Sequence, residues 1–150
     1  MGNICRSPAA EGIMKHVVKR ENMDGKIFID SAGTIGYHEG EPADARMVEH
    51  ASERGYDLTS ISRKFDPNTD FEKFDYIVTM DDDNYYDIKS LDRRKKYRNK
   101  IFKMTEFNRK IPATEVPDPY YSGPDGFETV LDILEDACEG LFIKVNNEIK

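Results

Sequence analysis

Apolar residues follow two rhythms along this chain. Ala9, Ala10, Ile13, Met14, Val17 and Val18 recur at helical spacing and predict an amphipathic helix. Ser7 is placed to cap that helix, and Pro8 suits its first turn. Met47, Val48 and Ala51 predict a second helix, with Gly55 placed to close it. A long C-terminal helix is predicted from Phe127, Val130, Leu131, Leu134, Ala137, Cys138, Leu141, Phe142 and Val145. Between these lie short apolar runs of strand character: Ile27-Phe28-Ile29, Tyr76-Ile77-Val78-Thr79-Met80 and Lys100-Ile101-Phe102-Lys103-Met104. A short helix is expected after Asp81.

Strands that alternate with helices imply an α/β fold, here a three-layer sandwich around a central parallel sheet. Three strands make a thin sheet, however. The first helix also starts at residue seven with no strand ahead of it, whereas such folds normally open with a strand feeding the first loop. The pattern therefore predicts one domain over residues 1–150 that lacks its first strand.

Composition narrows the function. The 150 residues carry 38% hydrophobic and 34% charged residues and a net charge of −7. That balance suits a globular domain and argues against general affinity for nucleic acid or acidic membranes. An anionic substrate would need a local positive site. The two cysteines, Cys5 and Cys138, do not make a disulfide scaffold and fit a reducing, cytoplasmic setting. No apolar run reaches the length of a membrane span. Met1-Gly2 suggests myristoylation, but Arg6 stands where that signal needs Ser or Thr. His16, His38 and His50 are scattered, so no metal constellation is visible and no cofactor is expected. The basic run Arg93-Arg94-Lys95-Lys96, with Arg98 and Lys100, reads as a solvated loop or helix end.

The opening segment Gly2-Asn3-Ile4-Cys5-Arg6-Ser7-Pro8 carries the chemistry. Gly2 and Asn3 tolerate unusual backbone angles. The segment runs into a helix N-terminus, where free N–H groups and the helix dipole favour an anion. Successive amides there can form an anion nest, and Arg6 adds a planar fork matched to phosphate oxygens. Read alone, such a stretch favours a capped helix start beside an exposed arginine.

The segment resembles the C-[LM]-G-N-I-C-R-S-P signature of the low-molecular-weight protein-tyrosine phosphatases, from its second position onward. The resemblance continues through Asp30-Ser31-Ala32-Gly33-Thr34, Phe74-Asp75-Tyr76-Ile77, Met80-Asp81 and Asp118-Pro119-Tyr120-Tyr121, in the family's order. It implies phosphotyrosine hydrolysis through a cysteinyl-phosphate, with no metal. It also implies a parallel sheet of order 2-1-3-4. By position, Gly2, Asn3, Ile4, Cys5, Arg6 and Ser7 would hold phosphate, with Arg6 gripping its oxygens, Ser7 supporting the thiolate and Asn3 bracing the loop. Asp118 would be the general acid, and its flanking Pro117 and Pro119 suit a stiff loop. Tyr120, Tyr121 and, less directly, Tyr37 would line an aromatic cleft. Asp81 and Asn84 fall near loop-supporting positions but equally suit a helix cap. Ser60 stands where some relatives place a His that supports the loop, ahead of Arg63, which puts that contact in doubt.

The signature's first cysteine has no counterpart in the written sequence. Cys5 matches the second, and a Cys-five-residues-Arg spacing from Cys5 would need Arg where Glu11 stands. The chain as written is therefore expected to be inactive or nearly so. A start assigned at an internal Met, a swapped strand or a phosphate-binding pseudophosphatase would each account for it. Loss of a central strand would leave sheet edges open to self-association. Expected partners are a phosphotyrosine protein and inorganic phosphate or sulfate in the loop. Arsenate reductases of the same superfamily need relay cysteines, for which Cys138 is poorly placed. Arginine phosphatases tend to carry Thr at the position of Ile4.

Overall fold

The computed structural model describes residues 4–119 and 123–149. Helix α1 spans Arg6–Arg20, α2 Ala45–Glu53, and a short α3 Asp70–Lys73. Strand β1 (Ile77–Thr79) leads into α4 (Asp82–Leu91). Strand β2 (Ile101–Lys103) is followed by a 3-10 turn over Met104–Phe107. Helix α5 runs from Pro124 to Ile149, about 39 Å at 1.5 Å per residue.

β1 and β2 pair in parallel, with Ile77 opposite Ile101 and Thr79 opposite Lys103. The strand period of two sorts their side chains into two layers. Ile77 and Ile101 join Phe71 and Ile88 in a small cluster on the α4 side. Val78 and Phe102 pack instead against the large core built by α1, α2 and α5. That core contains Ile13, Met47, Phe127, Val130, Leu131 and Leu134, none more than 1% exposed. The architecture is thus α/β with a parallel sheet, as the sequence pattern implies.

Two expectations need correction. The run Ile27-Phe28-Ile29 forms no strand among the described residues, and the sheet there has two strands. A strand exists only when its backbone groups find a ladder. Residues 27–29 and residues 76–79 both line a cavity of about 1020 Å³, and no ladder joins them. The cavity floor includes Ala10 and Met14 of α1 and Leu141 and Val145 of α5. Second, Ser7 does not cap α1. The cap position is Cys5, which makes no side-chain capping bond, and Ser7 is already helical. Pro8 does sit in the first turn, where a missing N–H removes no intrahelical bond.

Helix α5 accounts for much of the rigidity. A Cβ at Gly140 would lie 1.9 Å from the Phe107 carbonyl oxygen, so only glycine allows the 3-10 turn to approach α5 so closely. Beside it, Asp136 Oδ2 accepts from the amides of Arg109, Lys110 and Ile111 and from Asn108 Nδ2. Burial opposes the charge on Asp136, but these donors overcome it and pull its carboxyl down to about 2.

Candidate active site

The site is assembled around the Arg6 guanidinium. Arg6 opens α1, and its side chain is 3% exposed. A buried charge of this kind needs partners. Arg6 Nη1 donates to Asp81 Oδ2 at 2.7 Å and to the Val116 carbonyl at 2.9 Å. Nη2 lies 4.0 Å from Asp118 Oδ2. Among the described residues the Nε and Nη2 donors make no hydrogen bond.

Asp81 performs both roles that its position suggests. It is the N-cap of α4, where Oδ1 accepts the Asn84 amide at 2.8 Å, while Oδ2 holds Arg6. Burial works to raise its pKa, but the Asn84 amide and Arg6 win and hold the carboxyl below the usual range. Asn84 is buried, and its Nδ2 has no partner among the described residues. It also lines the cavity.

Asp118 is delivered by backbone bonds. The Val116 amide donates to the Met80 carbonyl at 2.8 Å, and the Val116 carbonyl receives Arg6. The segment leading to Asp118 thus hangs from the end of β1 on one side and from α1 on the other. The Asp118 side chain is 48% exposed, close enough to Arg6 to act on a group held there and open enough to meet solvent. Arg6 and Asp118, a long way apart in sequence, lie within 4.0 Å of each other.

Of the remaining predicted residues, Ile4 is half-buried and its carbonyl accepts the Asp44 amide at 2.7 Å, joining the loop to α2. Ser7 is half-buried in the first turn of α1 and borders the cavity. Tyr37 is 82% exposed and packs edge-on against His38. Arg63 pairs with Asp30 at 3.0 Å and Asp70 at 2.8 Å, so it braces the wall that holds residue 30. Gly2, Asn3, Tyr120 and Tyr121 lie outside the described residues.

Both cysteines are buried free thiols. Cys5 is 5% exposed, and burial first, then the Asp44 and Asp118 charges, push its thiol up to about 12. Cys138 is fully buried in α5, is likewise pushed up to about 12 by burial, and points its Sγ at the Ala10 carbonyl. Reactive thiols need the opposite environment.

Comparison with known proteins agrees with this geometry. The family model for low molecular weight phosphotyrosine protein phosphatase matches residues 1–150. The chain belongs to this family. A low molecular weight protein-tyrosine-phosphatase of Streptomyces coelicolor is 34% identical over 151 residues, covering 99% of this chain and 92% of the relative. A crystal structure of a protein tyrosine phosphatase from Entamoeba histolytica, with Hepes in its active site, superposes with a TM-score of 0.94. It is 53% identical and covers 100% of this chain and 95% of that one. A Drosophila arginine phosphatase also shares the fold at a TM-score of 0.88 and 28% identity, covering 97% of this chain and 93% of that one. The chain is thus a member of a protein-tyrosine-phosphatase family of hydrolases. No helix among its described residues is long and apolar enough to cross a membrane.

Several features escaped the sequence reading. The Val116 carbonyl is a backbone group, so no residue type announces it. Glu11 is buried and joins Lys15 Nζ to Ser31 Oγ. Its only signal was the i,i+4 spacing to Lys15. The structure also brings His50, Glu53 and Glu128 together, where the sequence showed only scattered histidines.

Proposed function

We propose that this fold hydrolyses aryl phosphates of the phosphotyrosine kind through a cysteinyl-phosphate. In that reaction Arg6 binds and neutralises the transferring phosphoryl group, the amides of the opening loop and Ser7 complete the cradle, and Asp118 protonates the departing phenolate oxygen. Asp118 then takes a proton from the water that hydrolyses the phosphoenzyme. The observation that carries this reading is the buried Arg6, fixed through Nη1 by Asp81 and Val116, with Asp118 4.0 Å from its other nitrogen. Positioned donors of this sort contribute most when they need no reorganisation during the reaction.

The nucleophile is not among residues 1–150 on this reading. The support is the raised pKa of both Cys5 and Cys138. An apolar strand ending in cysteine, placed ahead of Met1, would have an unfilled cavity between residues 27–29 and β1 to enter. The same cavity leaves sheet edges that favour association between copies. The same observation favours a second reading for the chain as written: it binds phosphate or a phosphorylated partner without turnover. Ile4 inclines the substrate toward phosphotyrosine rather than phosphoarginine, and the two free cysteines suit a cytoplasmic setting.

The test compares p-nitrophenyl phosphate hydrolysis by the 150-residue chain and by a chain extended with such a strand and cysteine. Turnover by the extended chain alone, slowed by Asp118→Ala, supports the assignment. Turnover by the 150-residue chain that Cys5→Ser abolishes would refute it. If neither chain turns over but both bind inorganic phosphate through Arg6, the binding reading replaces the enzymatic one.

A further inference from the structure

Away from Arg6, α2 and the start of α5 meet in a cluster of unlike ligand groups. His50 and Glu53 stand three residues apart on α2 and so share one helix face. Glu128 projects from the early part of α5. One ligand atom from each of the three lies within 4.8 Å of the others. The closest pair crosses between the helices: His50 Nδ1 and Glu128 Oε2 are 2.5 Å apart.

Second neighbours orient this set. The His50 ring stacks on Phe127 with an interplanar angle of 3°, which fixes the direction of its nitrogens. Arg54 Nη2 donates to Glu128 Oε1 at 2.7 Å, leaving Oε2 turned to His50. The Arg54 charge is itself shared with Asp132 at 2.9 Å and Glu135 at 2.6 Å, so it does not stand alone against a second cation. Outer partners of this type orient metal ligands and tune their affinity.

We propose that His50, Glu53 and Glu128 form a binding site for a divalent transition-metal cation of the zinc type. One imidazole nitrogen and two carboxylate oxygens suit Zn²⁺, and solvent can complete the coordination because Glu53 is exposed. With ligands at about 2.1 Å, neighbouring donor atoms sit about 3.4 Å apart. His50 and Glu128 therefore open by about 1 Å on binding, and Glu53 moves inward. The cation takes the place of the proton between His50 and Glu128.

The site also has a structural consequence. Helix α2 is hydrogen-bonded to the loop through the Asp44 amide and the Ile4 carbonyl. Helix α5 follows the segment that carries Asp118. A cation joining α2 to α5 clamps together the two elements that flank the Arg6 site, and it stabilises the folded chain by mass action.

Co²⁺ is the probe, because its visible bands report the ligand set. The 150-residue chain should bind one equivalent with bands free of thiolate charge transfer. Zn²⁺ should compete for the same site and raise the Tm. Glu53→Gln and His50→Gln should each weaken Co²⁺ binding at least about tenfold and remove the Zn²⁺-dependent rise in Tm. Glu53 is exposed, so that variant keeps the test valid even if His50→Gln disturbs packing on Phe127. Unchanged binding by both variants, thiolate bands from Cys5 or Cys138, or no binding by the folded chain would overturn the proposal.

Discussion

The Arg6 site and the wall formed by residues 27–29 border the same interior but are built differently. Arg6 is bonded to α4 through Asp81 and to the acid-bearing segment through Val116, and it begins a helix buried against α5. Residues 27–29 form no ladder, and Phe28 is 66% exposed. One region has several elements converging on each group, while the other faces a cavity. Arg6, Asp81, Val116 and Asp118, far apart in sequence, are thus held close to one another. The half of the sheet beyond β1 is not held by any described strand.

The largest expected effect tests the over-determined side. In a turnover-competent extended chain, Arg6→Ala should reduce kcat/KM of p-nitrophenyl phosphate hydrolysis by about 10²–10³, the range for losing a positioned oxyanion donor. It also leaves the half-buried Asp81 without its cation, so stability falls as well. Arg6→Lys separates the two effects. It keeps a charge near Asp81 but loses the planar fork, and turnover should drop while the Tm moves less. If Arg6→Lys retains full turnover, bidentate binding is not what the site uses.

Next comes Ile13→Ala, which deletes a fully buried side chain between α1 and α5. A loss of about 2–5 kcal/mol is expected in urea denaturation. Asp81→Ala should cost about 3–5 kcal/mol if breaking the buried pair dominates, and about 1 kcal/mol if only the α4 cap matters. The measured value therefore weighs the two roles of Asp81 against each other.

How much of this could be read beforehand follows from where the information resides. Helices α1, α2 and α5 were legible because their apolar faces recur at 3.6-residue spacing, whereas α4 was expected only as a short helix after Asp81. β1 and β2 were legible because Ile77-Val78 and Ile101-Phe102 are buried from both sides. Ile27-Phe28-Ile29 has the same local character and still forms no strand, because pairing depends on a neighbour that local pattern does not contain. Arg6 and Asp118 were singled out through family resemblance, whereas their meeting point was not. It depends on the Val116 backbone, which has no residue signature. Asp81 was ambiguous between cap and support because its two oxygens do both.

A smaller effect concerns acid. Asp136 has a folded pKa of about 2 against an ordinary 3.8. A depressed carboxyl contributes stability that is present above the unfolded value and lost as pH falls through the folded one. The urea midpoint should therefore fall between about pH 4 and pH 2. Asp136→Ala should flatten that part of the profile and cost about 0.5–1.5 kcal/mol at neutral pH, since it removes the shared acceptor of the amides of residues 109–111, two of which water can reach.

The smallest effect belongs to the open wall. Phe28 stacks on Phe74 at 5.8 Å with an interplanar angle of 20°, and Lys73 Nζ lies 4.9 Å from the Phe28 ring centre. Such contacts reach about 0.5–1.5 kcal/mol when water is excluded. At 66% exposure Phe28 retains most of its water, so Phe28→Ala in the 150-residue chain should change stability by no more than about 0.5 kcal/mol. In the extended chain the same substitution becomes a probe of that wall. If a strand enters the cavity and pairs with residues 27–29, their amides gain hydrogen-exchange protection, and the cost of Phe28→Ala rises because its backbone is then held in a ladder. If Phe28→Ala already costs as much as Asp81→Ala in the 150-residue chain, the wall is as firmly held as the Arg6 site. The contrast between the two regions would then lie in hydrogen bonding alone, not in stability.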